Sequence, residues 1–202
     1  MTKRIIVIGA NGTIGKAVAD RLSENAEVVR VGYRSGDFQV DLGSQSSIEE
    51  LFSKLGTFDH LISAAGASKF GALDSISDED FALGLTNKLL GQMNLVRLGR
   101  KHVADGGSIT LTSGMLATNP GPGTSPTSAA NAGVNAFVKA AALESTRGVR
   151  VNVVSPVFVT ETALMMGMSG EGTMSAAQTA QGYASAVEGE MNGETIDLRH
   201  PA

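Results

Sequence analysis

Three glycines stand at intervals of three residues near the start of the chain, at Gly9, Gly12 and Gly15 in VIGANGTIGKA. They follow a short β-branched run and precede a stretch with helical spacing. A glycine turn between a strand and a helix lets backbone N–H groups approach a pyrophosphate, and the helix dipole favours an anion at the same place. The pattern therefore predicts a dinucleotide-binding turn, and the alternative is a tight turn that binds nothing.

A second binding signal follows the next apolar run. A cofactor without a 2′-phosphate usually meets an acidic side chain about 20 residues after the glycines, but this chain has VGYRSG there. The guanidinium of Arg34 and the hydroxyl of Ser35 suit a phosphate group. They favour NADP(H) over NAD(H), unless Arg34 merely belongs to a surface loop.

The elements that must position these residues alternate along the chain. Apolar runs such as KRIIVIG, EVVRVGY, GSITLTSG and VRVNVVSP are typical of strands, and stretches with helical spacing separate them. Residues 77–103 predict one long amphipathic helix, and another begins near Pro126 and ends at Gly148. Strands that are apolar on both faces predict a parallel sheet covered on each side. We therefore expect an α/β fold, a Rossmann-type doubly wound parallel β-sheet of about seven strands, in one NAD(P)-binding domain over residues 1–202.

Composition and charge exclude several classes of protein. With 42% hydrophobic and 18% charged residues, the chain of 202 residues is globular rather than disordered. Its net charge of −4 and the lack of a long basic run argue against nucleic acid as a partner. The chain has no cysteine, and His60, His102 and His200 lack the spacing of metal ligands, so we expect no metal site.

Signals for a membrane or for export are not found in the sequence. No apolar run reaches the ~18 residues that a membrane span needs. The apolar run after the basic N-terminus breaks at Gly-Asn-Gly, too early for a signal peptide. We therefore expect a cytoplasmic protein with no membrane partner.

Together, these stretches resemble the short-chain dehydrogenase/reductase family over nearly the whole chain. VDLGS is similar to the family's adenine-side segment, ISAAG to its Asn-Asn-Ala-Gly segment, and VNVVSPVFVTET to the segment that holds the nicotinamide end. The cofactor-binding residues that the resemblance implies are Gly9, Asn11, Gly12, Thr13, Ile14, Gly15, Arg34, Ser35, Asp41, Leu42, Ala64, Ala65, Gly66, Pro156, Val159 and Thr160. It also implies a small-molecule substrate and a short, methionine-rich substrate flap near residues 161–175.

The family's catalytic pair is missing from this chain. In the family, the helix after the fifth strand begins Tyr-x-x-x-Lys and continues Val-Asn-Ala-Phe, a string that is present here at residues 134–137. Counting back places Thr127 at the tyrosine position and Asn131 at the lysine position, and Ser113 lies one residue before the serine position. The catalytic positions that the resemblance implies are therefore Asn87, Ser113, Thr127 and Asn131.

The loss of this pair has a chemical consequence. A threonine hydroxyl is a far weaker acid than a phenol whose pKa is lowered by a lysine one helical turn away. Losing a positioned general acid typically costs ~10² to 10⁴ in rate. Other candidate proton donors are Ser113, Ser128 and Lys88, although each also suits an ordinary surface or packing role. Restoring the pair with Thr127→Tyr and Asn131→Lys is expected to raise activity if the rest of the site is intact.

Three functions remain open from the sequence. The first is an NADP(H)-dependent oxidoreductase that acts on a small carbonyl or alcohol substrate with a non-standard proton donor. The second is an NADP(H)-binding protein without redox turnover, such as a sensor or a regulatory partner. The third is a scaffold that no longer binds nucleotide, which the intact glycine turn and Arg34 argue against.

Self-association is expected from the helix that begins near Pro126. Its first half is built from small, uncharged residues, which leave a smooth face for a second helix. In the family, this helix and the preceding long one pair with their copies across a two-fold axis. We therefore expect a homo-oligomer, a dimer or a tetramer, with Leu89, Met93 and Val96 at its interface. The alternative is that the small residues simply let the helix sit close to its own sheet.

Overall fold

A sheet of seven parallel strands lies at the centre of the structure, a computed structural model that describes residues 2–199. The strands are β1 (Arg4–Ile8), β2 (Glu27–Gly32), β3 (Phe38–Gln39), β4 (Phe58–Ser63), β5 (Val103–Thr112), β6 (Arg150–Ser155) and β7 (Thr195–Asp197). Their order across the sheet is β3-β2-β1-β4-β5-β6-β7, so the chain winds outward from β1 and then outward in the other direction from β4. The predicted Rossmann-type doubly wound parallel sheet is confirmed.

Helices connect the strands and cover both faces of the sheet. They are α1 (Thr13–Leu22), α2 (Gln45–Leu55), α3 (Asp78–Leu83), α4 (Gly91–Gly99), α5 (Ser125–Leu143), α6 (Thr160–Met165) and α7 (Ala176–Glu188), with a π-helical segment (Gly84–Leu90) between α3 and α4. Single 3-10 turns, Arg100–His102 and Met115–Ala117, precede and follow β5.

Two apolar layers hold the helices against the sheet. On one face, Phe52 of α2, Leu95 of α4 and Val134 of α5 belong to a cluster of buried residues that includes strand side chains. On the other face, Val18 of α1 and Tyr183 of α7 are fully buried against the sheet. Because all seven strands are parallel, their carboxyl ends meet at one edge of the sheet. Ligands bind at this edge in such sheets.

The structure differs from the sequence prediction in the stretch of residues 77–103. The predicted long helix is present as one continuous helical stretch from Asp78 to His102, but it contains a π-helical segment and it ends before Val103, where β5 begins. Glycines bound the π-helical segment, and they allow close approach to neighbouring segments. A Cβ at Gly84 would lie 2.8 Å from Ser68 Oγ, and one at Gly91 would lie 2.7 Å from the Leu42 carbonyl oxygen.

Two further differences concern short or terminal features. The two-residue strand β3 has no counterpart among the predicted runs, and α5 ends at Leu143 rather than at Gly148. His200 lies outside the described residues, as do the two residues that follow it. The assignment of residues 1–202 to one domain therefore stays a prediction.

Candidate functional site

The glycine turn joins β1 to α1 at the carboxyl edge of the sheet. Gly9 has φ +82°, a conformation that favours glycine. A Cβ at Gly15 would lie only 2.0 Å from the Gly9 carbonyl oxygen, so a side chain there would force α1 away from the turn. Gly12 is the N-cap of α1, and neither a side-chain cap nor an acidic residue occupies the first turn. The first N–H groups of α1 are therefore available to an anion.

A cleft of about 840 Å³ runs along this turn. Its volume lies within the range of small-molecule and cofactor sites. Eleven of the residues predicted for the site line it, and they are Gly9, Asn11, Gly12, Arg34, Ser35, Asp41, Leu42, Ala64, Ala65, Gly66 and Asn87. The ends of β1, β2 and β4 and the π-helical segment thus bring together most of the predicted cofactor residues.

The edge of the cleft near β2 has the polar groups that a phosphate needs. Asn11 Nδ2 donates to both the carbonyl oxygen and the Oγ of Ser35, each at 2.9 Å, and so fixes the loop after β2. The Arg34 guanidinium lies 5.7 Å from the centroid of the exposed Tyr33 ring. Within residues 2–199, no carboxylate forms an ion pair with Arg34. Its charge is therefore available to a ligand.

The predicted catalytic positions are divided between the cleft and the interior. Asn87 lines the cleft, and its Oδ1 accepts a hydrogen bond from the Ala67 N–H at 2.7 Å. Ser113, Thr127 and Asn131 are instead nearly closed to solvent, with 4%, 9% and 3% of their surface exposed. All three are beyond the cleft, at the end of β5 and in the first turns of α5.

A family model described as enoyl-(acyl carrier protein) reductase matches residues 5–190. The chain belongs to the short-chain dehydrogenase/reductase family. Among its relatives is the 3-oxoacyl-[acyl-carrier-protein] reductase of Mus musculus, 31% identical over 180 residues that cover 79% of this chain and 76% of that protein. The protein of the same description from Staphylococcus aureus is 25% identical over 185 residues, which cover 79% of this chain and 75% of that protein.

Solved structures support the same assignment. A protein from Listeria innocua has 37% identity and a TM-score of 0.94, and the match covers 98% of this chain and 100% of that one. A small-chain dehydrogenase solved in complex with NADPH has 28% identity and a TM-score of 0.88, with 98% and 97% covered. The chain is thus an oxidoreductase of short-chain dehydrogenase/reductase type with a nucleotide-binding Rossmann fold.

At position 127, where the family has its tyrosine, the structure shows a side-chain contact that the sequence did not predict. Thr127 Oγ1 lies 2.7 Å from Ser68 Oγ, which belongs to the loop after β4. A phenol at position 127 would displace this loop, because the threonine is already closed in. Thr127→Tyr with Asn131→Lys is therefore expected to lower stability, and the gain in activity, which requires the rest of the site to be intact, stays a prediction. Ser68 was not predicted, since nothing in its local sequence marks a contact with α5.

Among the buried polar atoms that have no hydrogen-bond partner within residues 2–199, two belong to predicted catalytic positions. They are Ser113 Oγ and Asn131 Oδ1. The Asn131 amide lies beside the residue that follows Ser113, since a Cβ at Gly114 would be 3.1 Å from Asn131 Nδ2. Buried polar atoms are almost always paired, so such orphans mark a place where a ligand or water completes the bonding.

The remaining predicted cofactor residues do not line the cleft. Thr13, Ile14 and Gly15 begin α1 behind the turn. Pro156, Val159 and Thr160 follow β6. Pro156 accepts a hydrogen bond from the Met115 N–H, and Thr160 Oγ1 lies 2.8 Å from Thr173 Oγ1. The latter three are near the end of β5 rather than near the cleft.

Neither tyrosine replaces the missing phenol. Tyr33 is exposed beside Arg34, at the β2 end of the cleft and far from the predicted catalytic positions. Tyr183 is fully buried, and its hydroxyl shares a hydrogen bond of 2.6 Å with Thr112 Oγ1. Burial raises the pKa of the Tyr183 hydroxyl above its ordinary value, so it is a poorer acid than a free phenol.

Lys88 differs from the other predicted proton donors. It lies in the π-helical segment, directly after Asn87, and is half-buried. Loss of hydration lowers the pKa of the Lys88 ammonium to about 8. Ser113 and Ser128 have no such property, so Lys88 is the predicted donor that titrates near neutral pH.

The flap region and the surface have no further binding chemistry in the described part of the chain. The predicted flap includes α6, and it returns to the strand edge where the Thr160 N–H donates to the Met174 carbonyl oxygen at 2.9 Å. From residue 2 to residue 199, no three histidine, aspartate or glutamate side chains are grouped to hold a metal ion. No helix within the same residues is long and apolar enough to cross a membrane.

Proposed function

We propose that this chain is an NADP(H)-dependent oxidoreductase that acts on a small carbonyl or alcohol substrate with a non-standard proton donor. The observation that carries the proposal is the cleft, which extends from an intact glycine turn to Arg34, a residue without an ion pair among residues 2–199. Relatives described as 3-oxoacyl-[acyl-carrier-protein] reductases and a similar dehydrogenase solved with NADPH support it.

The residues present fit a dinucleotide with a 2′-phosphate. Close backbone packing at Gly9 and Gly15 leaves no room for a Cβ, as the tight turn of a pyrophosphate cradle requires. Arg34 and Ser35 would hold the 2′-phosphate, and Asp41 would lie on the adenine side. When bound, the cofactor supplies or accepts a hydride.

The chain's own contribution is to position a substrate oxygen and to move one proton. The orphan atoms Ser113 Oγ and Asn131 Oδ1 would bind polar groups of the ligands at the end of β5. Neither a serine hydroxyl nor an amide titrates near neutral pH. The proton therefore comes from another group, which separates this site from the family's tyrosine–lysine arrangement.

The second candidate is an NADP(H)-binding protein without redox turnover. A specific observation favours it: Thr127 and Asn131 are closed in, and the cleft ends before it reaches them. The two candidates share cofactor binding and differ in turnover. Incubating the purified protein with NADPH and a broad panel of aldehydes and ketones separates them, because only the oxidoreductase oxidises NADPH in a substrate-dependent way.

Preference for the phosphorylated cofactor is tested at Arg34. Hydrogen bonds to charged groups contribute roughly 1.5–3 kcal/mol, so Arg34→Met should weaken NADPH binding by about 10- to 100-fold. Binding of NADH should change little, because NADH has no 2′-phosphate. Calorimetric titration of both cofactors measures this, with Arg21→Met on the far part of α1 as the control. Equal affinity of the unmodified protein for NADPH and NADH would contradict the preference.

We also propose that the chain forms a homodimer through α5. Its exposed side is made of small residues, which include Ala129, Ala132 and Ala136. Two of the apolar residues predicted for this interface are used internally instead: Val96 is buried in the chain's own core, and Leu89 packs against Gly133. Sedimentation at micromolar concentration tests the proposal, and a monomer there would contradict it.

A further inference from the structure

The stem of Lys88 packs against a glycine that lines the cofactor cleft. A Cβ at Gly66 would lie 2.8 Å from Lys88 Cγ and 3.1 Å from its Cα, so the lysine packs directly on this glycine. Gly66 lines the cleft, and so does Asn87, the residue before the lysine. The π-helical segment thus places Lys88 beside the cleft, and π-helical turns occur frequently at functional sites.

A buried glutamine ties Lys88 to the end of β5. Gln92 Nε2 donates to the Lys88 carbonyl oxygen at 3.2 Å and to the Thr112 carbonyl oxygen at 2.8 Å. Gln92 Oε1 accepts from the Thr112 N–H at 2.8 Å. Thr112 directly precedes Ser113, so one fully buried side chain fixes the lysine backbone next to the predicted catalytic serine.

The ammonium of Lys88 lacks a partner within residues 2–199, where it forms neither an ion pair nor a hydrogen bond. Lys3, Lys16 and Lys54 each pair with a carboxylate at the surface. Lys69, Lys101 and Lys139 also lack an ion pair within the described residues, but they are exposed, whereas Lys88 is half-buried. Partial burial without a charged partner disfavours the charged form of the amine and leaves its N–H groups available to a ligand. The orphan oxygen of Ser113 belongs to the residue that follows Thr112, whose backbone is held by the same Gln92 side chain.

We propose that Lys88 is the proton donor of this enzyme and replaces the missing tyrosine–lysine pair, an inference that rests on the proposed oxidoreductase function. One proton moves. An N–H bond at Lys88 Nζ breaks and an O–H bond forms at the substrate oxygen, while the electron pair reaches the substrate carbon with the hydride. Lys88 becomes a neutral amine and then regains its proton from water.

The electrostatics of the site agree with this role. A donor works best when its pKa is near the working pH, and the pKa of Lys88 is lowered to about 8. Desolvation is the cause of the shift, and no charged side chain contributes to it. The charged residues of the loop and helices next to Lys88, none of which contributes to the shift, are Lys69, Asp74, Asp78, Glu79, Asp80, Arg97 and Lys139.

The first test measures the lysine without turnover. The chain has seven lysines, and reductive methylation with ¹³C gives each of them an NMR signal that titrates with its own pKa. The signal that disappears in Lys88→Met is that of Lys88. It should titrate near pH 8, and a midpoint at the ordinary value of a lysine, about 10.4, would overturn the proposal.

The second test separates a proton donor from a simple positive charge. Lys88→Met should lower kcat by ~10² to 10⁴, with NADPH binding kept within about twofold. Lys88→Arg should be equally slow, because a guanidinium keeps its charge but does not give up its proton. In the unmodified enzyme, kcat/KM for reduction should fall as the pH rises through about 8, and the variants should lack this step.

Controls and outcomes distinguish this proposal from the function on which it rests. Lys101→Met, at the opposite edge of the sheet just before β5, should keep the rate of the unmodified enzyme. Full activity of Lys88→Met, or restored activity in Lys88→Arg, would overturn the role of Lys88 while the oxidoreductase function stands. NADPH binding with no turnover in the unmodified protein would overturn both. If Lys88→Met raises Tm, the lysine costs stability and is kept for function, which supports the proposal. If Lys88→Met lowers Tm strongly, the lysine has a structural role instead.

Discussion

The two halves of the carboxyl edge of the sheet differ in how much of the family's sequence pattern they keep. Around β1 and β2, the glycine turn, Arg34 and the cleft agree with what a dinucleotide requires. Around β5 and α5, the positions of the proton-transferring pair hold Thr127 and Asn131, and both are closed to solvent. One half of the site keeps the family's glycine turn, and in our proposal the other half is rebuilt around Lys88.

This difference reflects the chemistry that each half performs. A pyrophosphate is bound by backbone N–H groups, so the glycine pattern alone preserves the site. Proton donation depends on one titrating side chain, and a neighbouring element can supply it without any change in the sheet. Lys88 on the π-helical segment is such a side chain, since Gln92 holds its backbone at the end of β5.

The largest effect is expected at the cofactor half. Gly15→Ala would place a Cβ 2.0 Å from the Gly9 carbonyl oxygen, so α1 must move away from the turn. The N–H groups of α1 would then no longer point at the pyrophosphate. The loss of two charge-assisted hydrogen bonds corresponds to a loss of about 100-fold or more in NADPH affinity. A titration of NADPH fluorescence measures the loss.

A matched glycine provides the control for this prediction. A Cβ at Gly121 meets nothing within 4 Å, so Gly121→Ala should bind NADPH as the unmodified protein does. Thermal melting of both variants shows whether the fold is kept. If Gly15→Ala binds NADPH with unchanged affinity, the turn does not hold the pyrophosphate and the contrast between the two halves disappears.

A smaller effect is expected when the family's pair is restored at the rebuilt half. Thr127→Tyr with Asn131→Lys should destabilise the protein by about 1–3 kcal/mol, which is the usual cost of overpacking a closed interior. The Ser68 contact shows how little space is left at position 127. Urea unfolding measures the loss. NADPH oxidation should not increase, because the displaced Ser68 loop leaves the site no longer intact. A stable double variant with a faster reaction would show that this half is merely disabled rather than rebuilt.

The sequence predicted the backbone-determined part of the molecule better than the part that depends on packing. The sheet and the glycine turn follow from local patterns of apolar runs and glycine spacing, which the structure retains. The π-helical segment was missed, because seven residues are too few for a changed helical period to show. The positions of Thr127 and Asn131 could be counted, but their burial depends on the distant loop that holds Ser68.

The smallest expected effect distinguishes two buried serines. Ser108 in β5 has a structural hydrogen bond, and Ser113, directly after β5, has the proposed functional role. Ser108 Oγ hydrogen-bonds to His60 Nδ1 at 2.9 Å, and burial lowers the pKa of His60 to about 4, so the imidazole is neutral at pH 7. Ser108→Ala would leave this buried nitrogen unpaired, at a cost of about 1–3 kcal/mol. Ser113 Oγ is buried with no partner among residues 2–199, so its removal breaks no bond.

Ser113→Ala should therefore change the free energy of unfolding by less than about 1 kcal/mol, and in the direction of greater stability, because an unsatisfied buried hydroxyl is removed. If Ser113 binds the substrate oxygen, kcat/KM should still fall, so activity and stability would move in opposite directions. Urea unfolding at pH 7 compares the two serine variants, and initial rates of NADPH oxidation compare their activity. A loss of stability equal to that of Ser108→Ala would assign Ser113 to the core and leave Lys88 without its polar neighbour at the end of β5.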